Sequence, residues 1–563
     1  MKRWWAGCTL GVAVLGCGPQ VSSEGGDASS TGEATVSSTN PSDPTTADTT
    51  TGGDHGRIQI ATNRDAAILF VVDNSGTMGA AQAKLAQSTS AFVDALGDTN
   101  VRIAITTTDN GNPWCGTTTP ESGSLVLSSC RERTGGFVFN GDPPADASET
   151  ACLDVCALDA IEIVPTATER DPELRPRPWL EHGTVTNLPD GVALADALAC
   201  TLPQGIDGCG FESHLESMYK SMLRFESEQD PSYGFVGAAA VLAVVLVSDE
   251  TDCSYATEWE SIFLSAGQGG NPAVFWTDPT AAAPTSAVCW NAGVSCSGGP
   301  GTYDECHAEN KDVDGNEGVD DGAAVMMPTS RYVEYLQQVE DTKQTITPDQ
   351  QVIVAAIAGV PQGYDSGSAE ITYADANDPT WQETFGIAPG CIDNASGAQA
   401  VPPVREREVV EAFETQDVAR SLYSICEDDY GGALAAIADR VRDQLQPSCV
   451  PACIADADLV ANGLQPECTI VQQTGYGTDE STVPQCAGDQ LTDDTDVCWF
   501  ARVDQGGITP EPWDDMSAYC SDLGWNLELG IVRREGVPAP AGTSIEADCQ
   551  LSNNKAVDCP ALP

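Results

Sequence analysis

The segment AAILFVVDNSGTMG, residues 66–79, joins a continuous apolar run to a polar turn. Such a run, with three β-branched members, is typical of a central parallel strand covered on both faces. Directly behind it, Asp73, Ser75 and Thr77 offer one carboxylate and two hydroxyls at alternate positions. All three are oxygen ligands, which hard divalent cations prefer. The segment therefore predicts an α/β sheet with a candidate cation site at the end of its first strand.

The rest of the chain alternates between helical patterns and apolar runs. Residues 80–96 place their large apolar side chains at helical spacing, and residues 101–109 predict the next strand. Strand, helix and strand in this order make a right-handed crossover unit. Further strands are predicted at 238–249 and 351–359, and further helices at 192–200, 212–225, 331–339, 407–414 and 431–445. The predicted fold class is α/β, with a parallel-type central sheet flanked by helices.

The N-terminus predicts export. Lys2 and Arg3 precede an apolar stretch, residues 4–16, that is too short to span a bilayer. The following VLGC, residues 14–17, resembles a bacterial lipobox, which implies cleavage before Cys17 and lipidation of that residue. An ordinary secretory signal is the alternative. We therefore divide this region into a signal peptide, 1–16, and a lipidated cysteine with a disordered Ser/Thr/Gly linker, 17–56.

The 22 cysteines predict a disulfide framework. Without Cys8 in the signal and Cys17 at the lipid, an even number remains, as expected for an exported chain. No C-x-x-C pair occurs, so we expect these cysteines to form disulfides and not to bind zinc. Cys-rich insertions are predicted at about 110–190 and 253–322, and a Cys-rich β or irregular cap at 449–563. Spacing does not determine the connectivity; the local pairs that proximity favours are Cys115 with Cys130, Cys152 with Cys156, and Cys289 with Cys296 or Cys306.

Charge and motifs exclude several functions. Lys and Arg total 25 against 84 Asp and Glu, for a formal net charge of −59, which repels nucleic acid. The chain has no G-x-S-x-G, no H-E-x-x-H and no phosphate loop, so we predict that it is not an enzyme.

A second carboxylate follows another buried strand. VLAVVLVSDE ends in Asp249 and Glu250, directly after an apolar run like the one before Asp73. In open α/β sheets, ligands bind outside the carboxyl ends of the strands. Asp73 and Asp249 would both lie at that edge, where a shared cation removes their mutual repulsion.

Together, ILFVVDNSGTMG and VVLVSDE resemble a von Willebrand factor type A (VWA) domain with a metal-ion-dependent adhesion site. That family has Asp-x-Ser-x-Ser/Thr after its first strand, a Thr in a middle loop and an Asp after its fourth strand. Asp73, Ser75 and Thr77 match the first element, and Asp249 matches the last.

The middle loop departs from the family pattern. GCGFESHLE, residues 208–216, stands in its place, with Glu212 or Ser213 where the family has Thr. If Glu212 is a ligand, the site holds three carboxylates and should favour Ca²⁺ or Mn²⁺ over Mg²⁺.

The resemblance covers about residues 60–445 and implies a Rossmann-like VWA domain, which we bound at 57–448 with its insertions. It implies binding: a divalent cation (Mg²⁺, Ca²⁺ or Mn²⁺) keeps one position open for an Asp or Glu of a protein partner. The predicted protein is thus an adhesive lipoprotein, anchored to the membrane at the outer membrane or cell surface. The alternatives are a structural envelope protein whose VWA scaffold needs no metal, and a secreted hydrolase.

Three further features are weaker indications of a functional site. DVDGNEGVDD, residues 312–321, has calcium-loop spacing at its start but lacks the required Gly and closing Glu, so we interpret it as a solvated acidic loop. His214 is predicted to be a surface residue of its helix. Asp252 either supports the cation site or caps a helix.

Overall fold

A computed structural model of the protein describes residues 55–60, 65–97, 99–141, 144–183, 185–345, 350–414, 420–445, 448–474, 479–492, 494–517, 520–521, 523–534 and 544–560. The predicted signal peptide, Cys17 and all of the predicted linker except its last two residues lie outside this set. Among the helices of the described residues, none combines the length and the apolarity needed to cross a membrane.

The chain forms nineteen described strands and eleven described α-helices. The strands are β1 (His55–Ile60), β2 (Asp65–Val72), β3 (Asn100–Thr107), β4 (Val138–Phe139), β5 (Ala145–Asp146), β6 (Leu180–His182), β7 (Val241–Val247), β8 (Val294–Gly298), β9 (Thr302–Ala308), β10 (Ile353–Ala358), β11 (Tyr373–Ala374), β12 (Cys391–Ile392), β13 (Gln399–Ala400), β14 (Leu422–Ser424), β15 (Cys468–Thr474), β16 (Asp479–Val483), β17 (Val497–Arg502), β18 (Glu528–Arg533) and β19 (Ser544–Gln550). The helices are α1 (Gly79–Gln87), α2 (Thr89–Leu96), α3 (Leu194–Thr201), α4 (His214–Phe225), α5 (Pro272–Phe275), α6 (Ala287–Gly293), α7 (Thr329–Gln344), α8 (Pro379–Phe385), α9 (Val404–Glu411), α10 (Gly431–Asp443) and α11 (Lys555–Asp558).

Six strands build the central sheet in the order β14-β10-β7-β2-β3-β6. All neighbours pair in parallel except β6, which is antiparallel to β3. Every residue of β7 and β10, and all but the first of β2, is buried, as expected for strands covered on both faces. The α/β class is confirmed, with a mixed sheet in place of a purely parallel one.

Helices cover both faces of this sheet. On one face, Phe92 of α2 and Leu434 of α10 join Phe70 of β2 in a single apolar cluster. On the other face, Leu215 of α4 and Tyr332 of α7 pack with the alternate side chains of the same strands. The period-two alternation of strand side chains thus divides the core into two layers.

The predicted helix 80–96 is interrupted at Ser88. Its hydroxyl donates to the carbonyl of Lys84 (2.8 Å) and accepts from the backbone N–H of Tyr430 (3.1 Å). The break therefore places the chain that enters α10 against the end of α1.

Disulfide bonds stabilise both insertions, but the local pairs predicted from sequence proximity are wrong. Cysteines of the insertions bond to distant segments or across their own loops, a choice that sequence proximity does not determine. The observed bonds are Cys115–Cys209, Cys130–Cys152, Cys156–Cys200, Cys253–Cys289 and Cys296–Cys306. A sixth bond, Cys391–Cys426, joins two loops near the sheet edge.

The C-terminal cap contains a four-stranded antiparallel sheet in the order β1-β19-β15-β16. Its four disulfides are Cys449–Cys520, Cys453–Cys559, Cys468–Cys549 and Cys486–Cys498. Strand β1 precedes the central sheet in the chain, yet it pairs with β19 along its whole length. Residues 57–60, which we had assigned to the VWA-like domain, therefore belong to the sheet of the cap.

Candidate metal centre

Two adjacent strands deliver the first acidic side chains. Strand β2 ends at Val72 opposite Val247 of β7, so the residues that follow leave the sheet side by side. The N–H of Asp73 still donates to the Val247 carbonyl (2.9 Å), and the Ser248 hydroxyl donates to Asp73 Oδ2 (2.5 Å). Asp73 is fully buried. The chain winds outward in both directions from β2, so this point is the topological switch of the sheet, where ligands bind.

A chain of hydroxyls connects Asp73 to Asp249. The N–H of Ser75 donates to Asp73 Oδ1 (2.7 Å), and the hydroxyls of Ser75 and Thr77 lie 3.2 Å apart. The Thr77 hydroxyl then donates to Asp249 Oδ1 (3.1 Å). The structure therefore brings together four of the sequence-predicted residues, Asp73, Ser75, Thr77 and Asp249.

Glu212 reaches the same place from the loop before α4. The Thr108 hydroxyl, at the end of β3, donates to Glu212 Oε2, while Glu212 Oε1 is buried and has no hydrogen-bond partner in the part of the chain that the structure describes. The other candidate at this position, Ser213, donates its hydroxyl to the Cys253 carbonyl (3.1 Å). Glu212 is thus the member of the pair whose side chain has an unsatisfied ligand atom.

The centre concentrates negative charge in a buried place. Burial, followed by the charges of Asp73 and Glu250, holds the pKa of Glu212 well above its ordinary value. Burial and the Asp73 charge raise the pKa of Asp249 to about 7. Burial, then Asp249 and Asp73, likewise raise the pKa of Glu250. A divalent cation would favour the ionised form of all these groups.

The donor set fits a hard cation that keeps part of its water. Carboxylates and hydroxyls are suitable ligands, and the buried Glu212 Oε1 is an acceptor that none of the described residues satisfies. Asp73, Glu212 and Asp249 do not bring three acidic ligand atoms within 4.8 Å of one another; in the described part of the chain, only Asp504, Asp514 and Asp515 do so. Those three belong to the cap, where the Thr509 hydroxyl bonds Asp504 and Asp514.

Three supporting residues were not predicted from the sequence. Gln82 donates to the carbonyls of Asp73 and Gly205 (both 2.7 Å), which clamps the DNSGTMG turn. Thr108 bonds Glu212, and Ser286 donates to Glu250 Oε2 (2.9 Å) from the second insertion. The Gln82–Gly205, Thr108–Glu212 and Ser286–Glu250 contacts join segments far apart in sequence, so no local pattern marks them.

The weaker candidates have separate roles. His214 is fully buried, so the surface prediction is wrong; its Nδ1 lies 3.2 Å from Glu406 Oε1. Burial opposes its charge, but Glu406 and Asp252 outweigh burial and raise the pKa of His214 to about 9. Asp252 accepts from the N–H of Leu215 (3.1 Å) in the first turn of α4, which is the capping role. Most of the acidic loop at residues 312–321 is exposed, and Asp312 accepts from the backbone N–H groups of Asp314 and Asn316 within the loop.

Comparisons with known proteins leave the family open. No family model matches the sequence, and no curated protein matches it. Two solved structures of the pilus adhesin SpaC from Lactobacillus rhamnosus GG, one of them in an open conformation, align with TM-scores of 0.24 and 0.25 at 8% and 9% identity. The alignments cover 88% and 89% of this chain but 41% and 40% of the adhesin chains, so the chain spans about two fifths of their length. At these TM-scores the likeness does not define a fold or family for the chain.

Proposed function

We propose that the protein is an exported, lipid-anchored envelope protein whose VWA-like domain binds a partner protein through a divalent cation. The observation that carries this proposal is the convergence of Asp73, Ser75, Thr77 and Asp249 at the switch point, beside the unsatisfied oxygen of Glu212. The central sheet supports it, because a doubly wound order places ligands at this edge.

Some residues of the centre would bind the cation, and others position those ligands. Asp73, Ser75, Thr77, Glu212 and Asp249 would hold the cation, which when bound supplies positive charge for a carboxylate of the partner. Gln82 and Ser248 fix the Asp73 turn through hydrogen bonds of 2.7 and 2.5 Å. Asp73, Ser75 and Glu212 are buried and Thr77 is exposed, so the partner would approach from the Thr77 side. A carboxylate that replaces water on the cation forms a charge-assisted contact of the stronger kind.

The test is a calorimetric titration of Ca²⁺, Mg²⁺ and Mn²⁺ into the purified protein and its Asp73→Ala variant. Asp304→Ala, at an exposed position of β9, is the matched control. We expect saturable binding that Asp73→Ala abolishes and Asp304→Ala preserves. Folded wild-type protein that binds none of the three ions would rule out the metal-dependent function and leave the structural alternative.

A further inference from the structure

A cavity opens directly beside the candidate metal centre. It shares Thr77 and Asp249 with the centre and continues between the start of α1 and the two loops joined by the Cys391–Cys426 disulfide. Including its open mouth, it encloses about 320 Å³. Because this figure includes open solvent, the enclosed part of the cavity is smaller, with room for at most one short side chain and not for a large cofactor.

Two of the three charged groups of the cavity wall, Lys84 and Asp393, neutralise each other. Lys84 Nζ lies 2.7 Å from Asp393 Oδ2 and donates to the Glu427 carbonyl (2.6 Å). Asp393 also accepts from the N–H groups of Ala395 (2.7 Å) and Ser396 (3.2 Å). Both of these charges are therefore satisfied within the protein, and the remaining charge in the described wall is Asp249, which belongs to the metal centre.

The remaining wall is largely apolar and held in place. Ala80, Ala81, Ala400 and Ile425 contribute methyl groups. The Tyr430 hydroxyl donates to the Ile425 carbonyl (2.8 Å), and the disulfide and the Lys84–Asp393 pair tie the three segments together. Apolar surface in a preformed cavity favours a neutral aliphatic group.

We propose that this cavity receives a short aliphatic side chain of the partner, next to the carboxylate that binds the cation. The recognised element is then an acidic–aliphatic pair such as Asp-Leu or Leu-Asp, and an acidic residue alone is a weaker ligand. This inference rests on the proposed function, since the carboxylate needs the cation. The inference specifies which class of partner sequence the site would select.

The test uses fluorescein-labelled pentapeptides in anisotropy titrations of the purified protein with saturating Ca²⁺. The central pairs are Asp-Leu, Leu-Asp, Asp-Gly, Asp-Lys and Asn-Leu. Burying most of a leucine side chain predicts that one of the two Asp/Leu orders binds about tenfold more tightly than Asp-Gly. Asn-Leu lacks the carboxylate and should lose binding.

A cavity-filling variant makes the test specific. Ala80 is exposed at the mouth, so Ala80→Leu adds bulk without disturbing the core. We expect it to remove the advantage of the leucine peptide over Asp-Gly. Gln87→Leu, which adds a leucine at the exposed far end of α1, should keep that advantage. A Ca²⁺ titration of each variant verifies that its metal centre is retained.

The outcomes separate the two proposals. Equal binding of the leucine peptides and Asp-Gly, preference for Asp-Lys, or an advantage that survives Ala80→Leu overturns the cavity inference and leaves the metal centre. Protein that binds Ca²⁺ but none of the peptides has the same consequence. Protein that binds no divalent cation overturns both.

Discussion

At the scale of single residues, hydroxyl groups compensate the acidic centre only in part. Ser248 donates to Asp73, Thr108 to Glu212, and Thr77 to Asp249. A hydroxyl stabilises a carboxylate by one hydrogen bond but carries no charge to offset repulsion between carboxylates. Burial is the larger cause of the raised pKa values of Glu212 and Asp249, and that repulsion adds to it. Stability of the folded chain and cation binding are therefore opposing demands on the same side chains.

Glu212→Gln should separate these demands. Removing this buried carboxylate relieves repulsion, so the melting temperature of the metal-free variant should rise, while its Ca²⁺ affinity should fall roughly tenfold or more. Calorimetry measures the affinity, and thermal unfolding in EDTA measures the stability. Glu228→Gln, at an exposed position after α4, should change neither quantity. Unchanged Ca²⁺ affinity in Glu212→Gln would remove this residue from the ligand set.

The same carboxyls should make metal-free protein less stable at higher pH. Asp249 has a pKa of about 7 in the folded chain, above its ordinary 3.8, so between these values the folded state binds more protons than the unfolded state. By linkage, stability then falls as pH rises from about 4 to 7, and the raised pKa values of Glu212 and Glu250 extend the fall.

Thermal unfolding in EDTA at pH 5 and pH 8 checks the sign. The wild-type melting temperature should be lower at pH 8, and Glu212→Gln should reduce the difference. Saturating Ca²⁺ should raise the pH 8 value, because the cation binds the folded state. A metal-free protein that is more stable at pH 8 than at pH 5 would contradict this account.

At the scale of elements, close backbone approach sets the positions of the loops. A Cβ atom at Gly208 would lie 2.2 Å from Asn74 Oδ1, and the Gly208 N–H donates to the Asn74 carbonyl (2.9 Å). Asn74 is buried beside Asp73. The loop before α4 therefore contacts the DNSGTMG turn so closely that a side chain at position 208 would displace the Asn74 amide.

Gly208→Ala should displace Asn74 and weaken the centre. We expect a loss of about 1–3 kcal/mol in unfolding free energy and a loss of roughly tenfold in Ca²⁺ affinity. Gly210→Ala is the matched control, because a Cβ atom at Gly210 meets nothing within 4 Å. Denaturant unfolding and calorimetry measure both effects. Equal behaviour of the two variants would show that the loop contact does not position the site.

Sequence patterns predicted the strands that are fully buried, because their apolar residues are consecutive in sequence. The apolar runs that became β2, β7 and β10 are buried on both faces, so each is continuous in sequence. Strands β6 and β14 contain three residues each and carry too little pattern to be recognised. Asp73 and Asp249 were predictable because strand ends meet at one edge, whereas the Gln82–Gly205 and Thr108–Glu212 contacts join distant segments.

At the scale of the whole molecule, both chain connections place the cap away from the metal centre. Strand β2 starts at Asp65, with four residues between it and the last residue of β1, and ends at the centre. Helix α10 starts beside the cavity and ends where Gln444 accepts from the N–H of Gln351 (3.0 Å), just before β10. Arg533 of the cap also interacts electrostatically with Asp65. The cap therefore lies at the amino-terminal edge of the parallel strands, and the metal centre lies at the opposite edge.

This arrangement predicts where Ca²⁺ protects the backbone from hydrogen exchange. A cation at the switch point should slow exchange in residues 73–79, 208–213 and 248–253, which supply or support the ligands, because local opening of these loops must release it. Strands β15 to β19 of the cap lie beyond the far edge and should be unchanged. Exchange followed by mass spectrometry, with Ca²⁺ and with EDTA, measures both regions in one sample.

Two variants decide which acidic group binds the ion. Asp73→Asn should abolish protection at the sheet edge, whereas Asp514→Asn in the cap should leave that protection intact. Protection confined to residues 504–515, lost in Asp514→Asn and kept in Asp73→Asn, would instead assign the cation to Asp504, Asp514 and Asp515. Because the two groups lie on opposite sides of the parallel strands, neither pattern can be mistaken for the other.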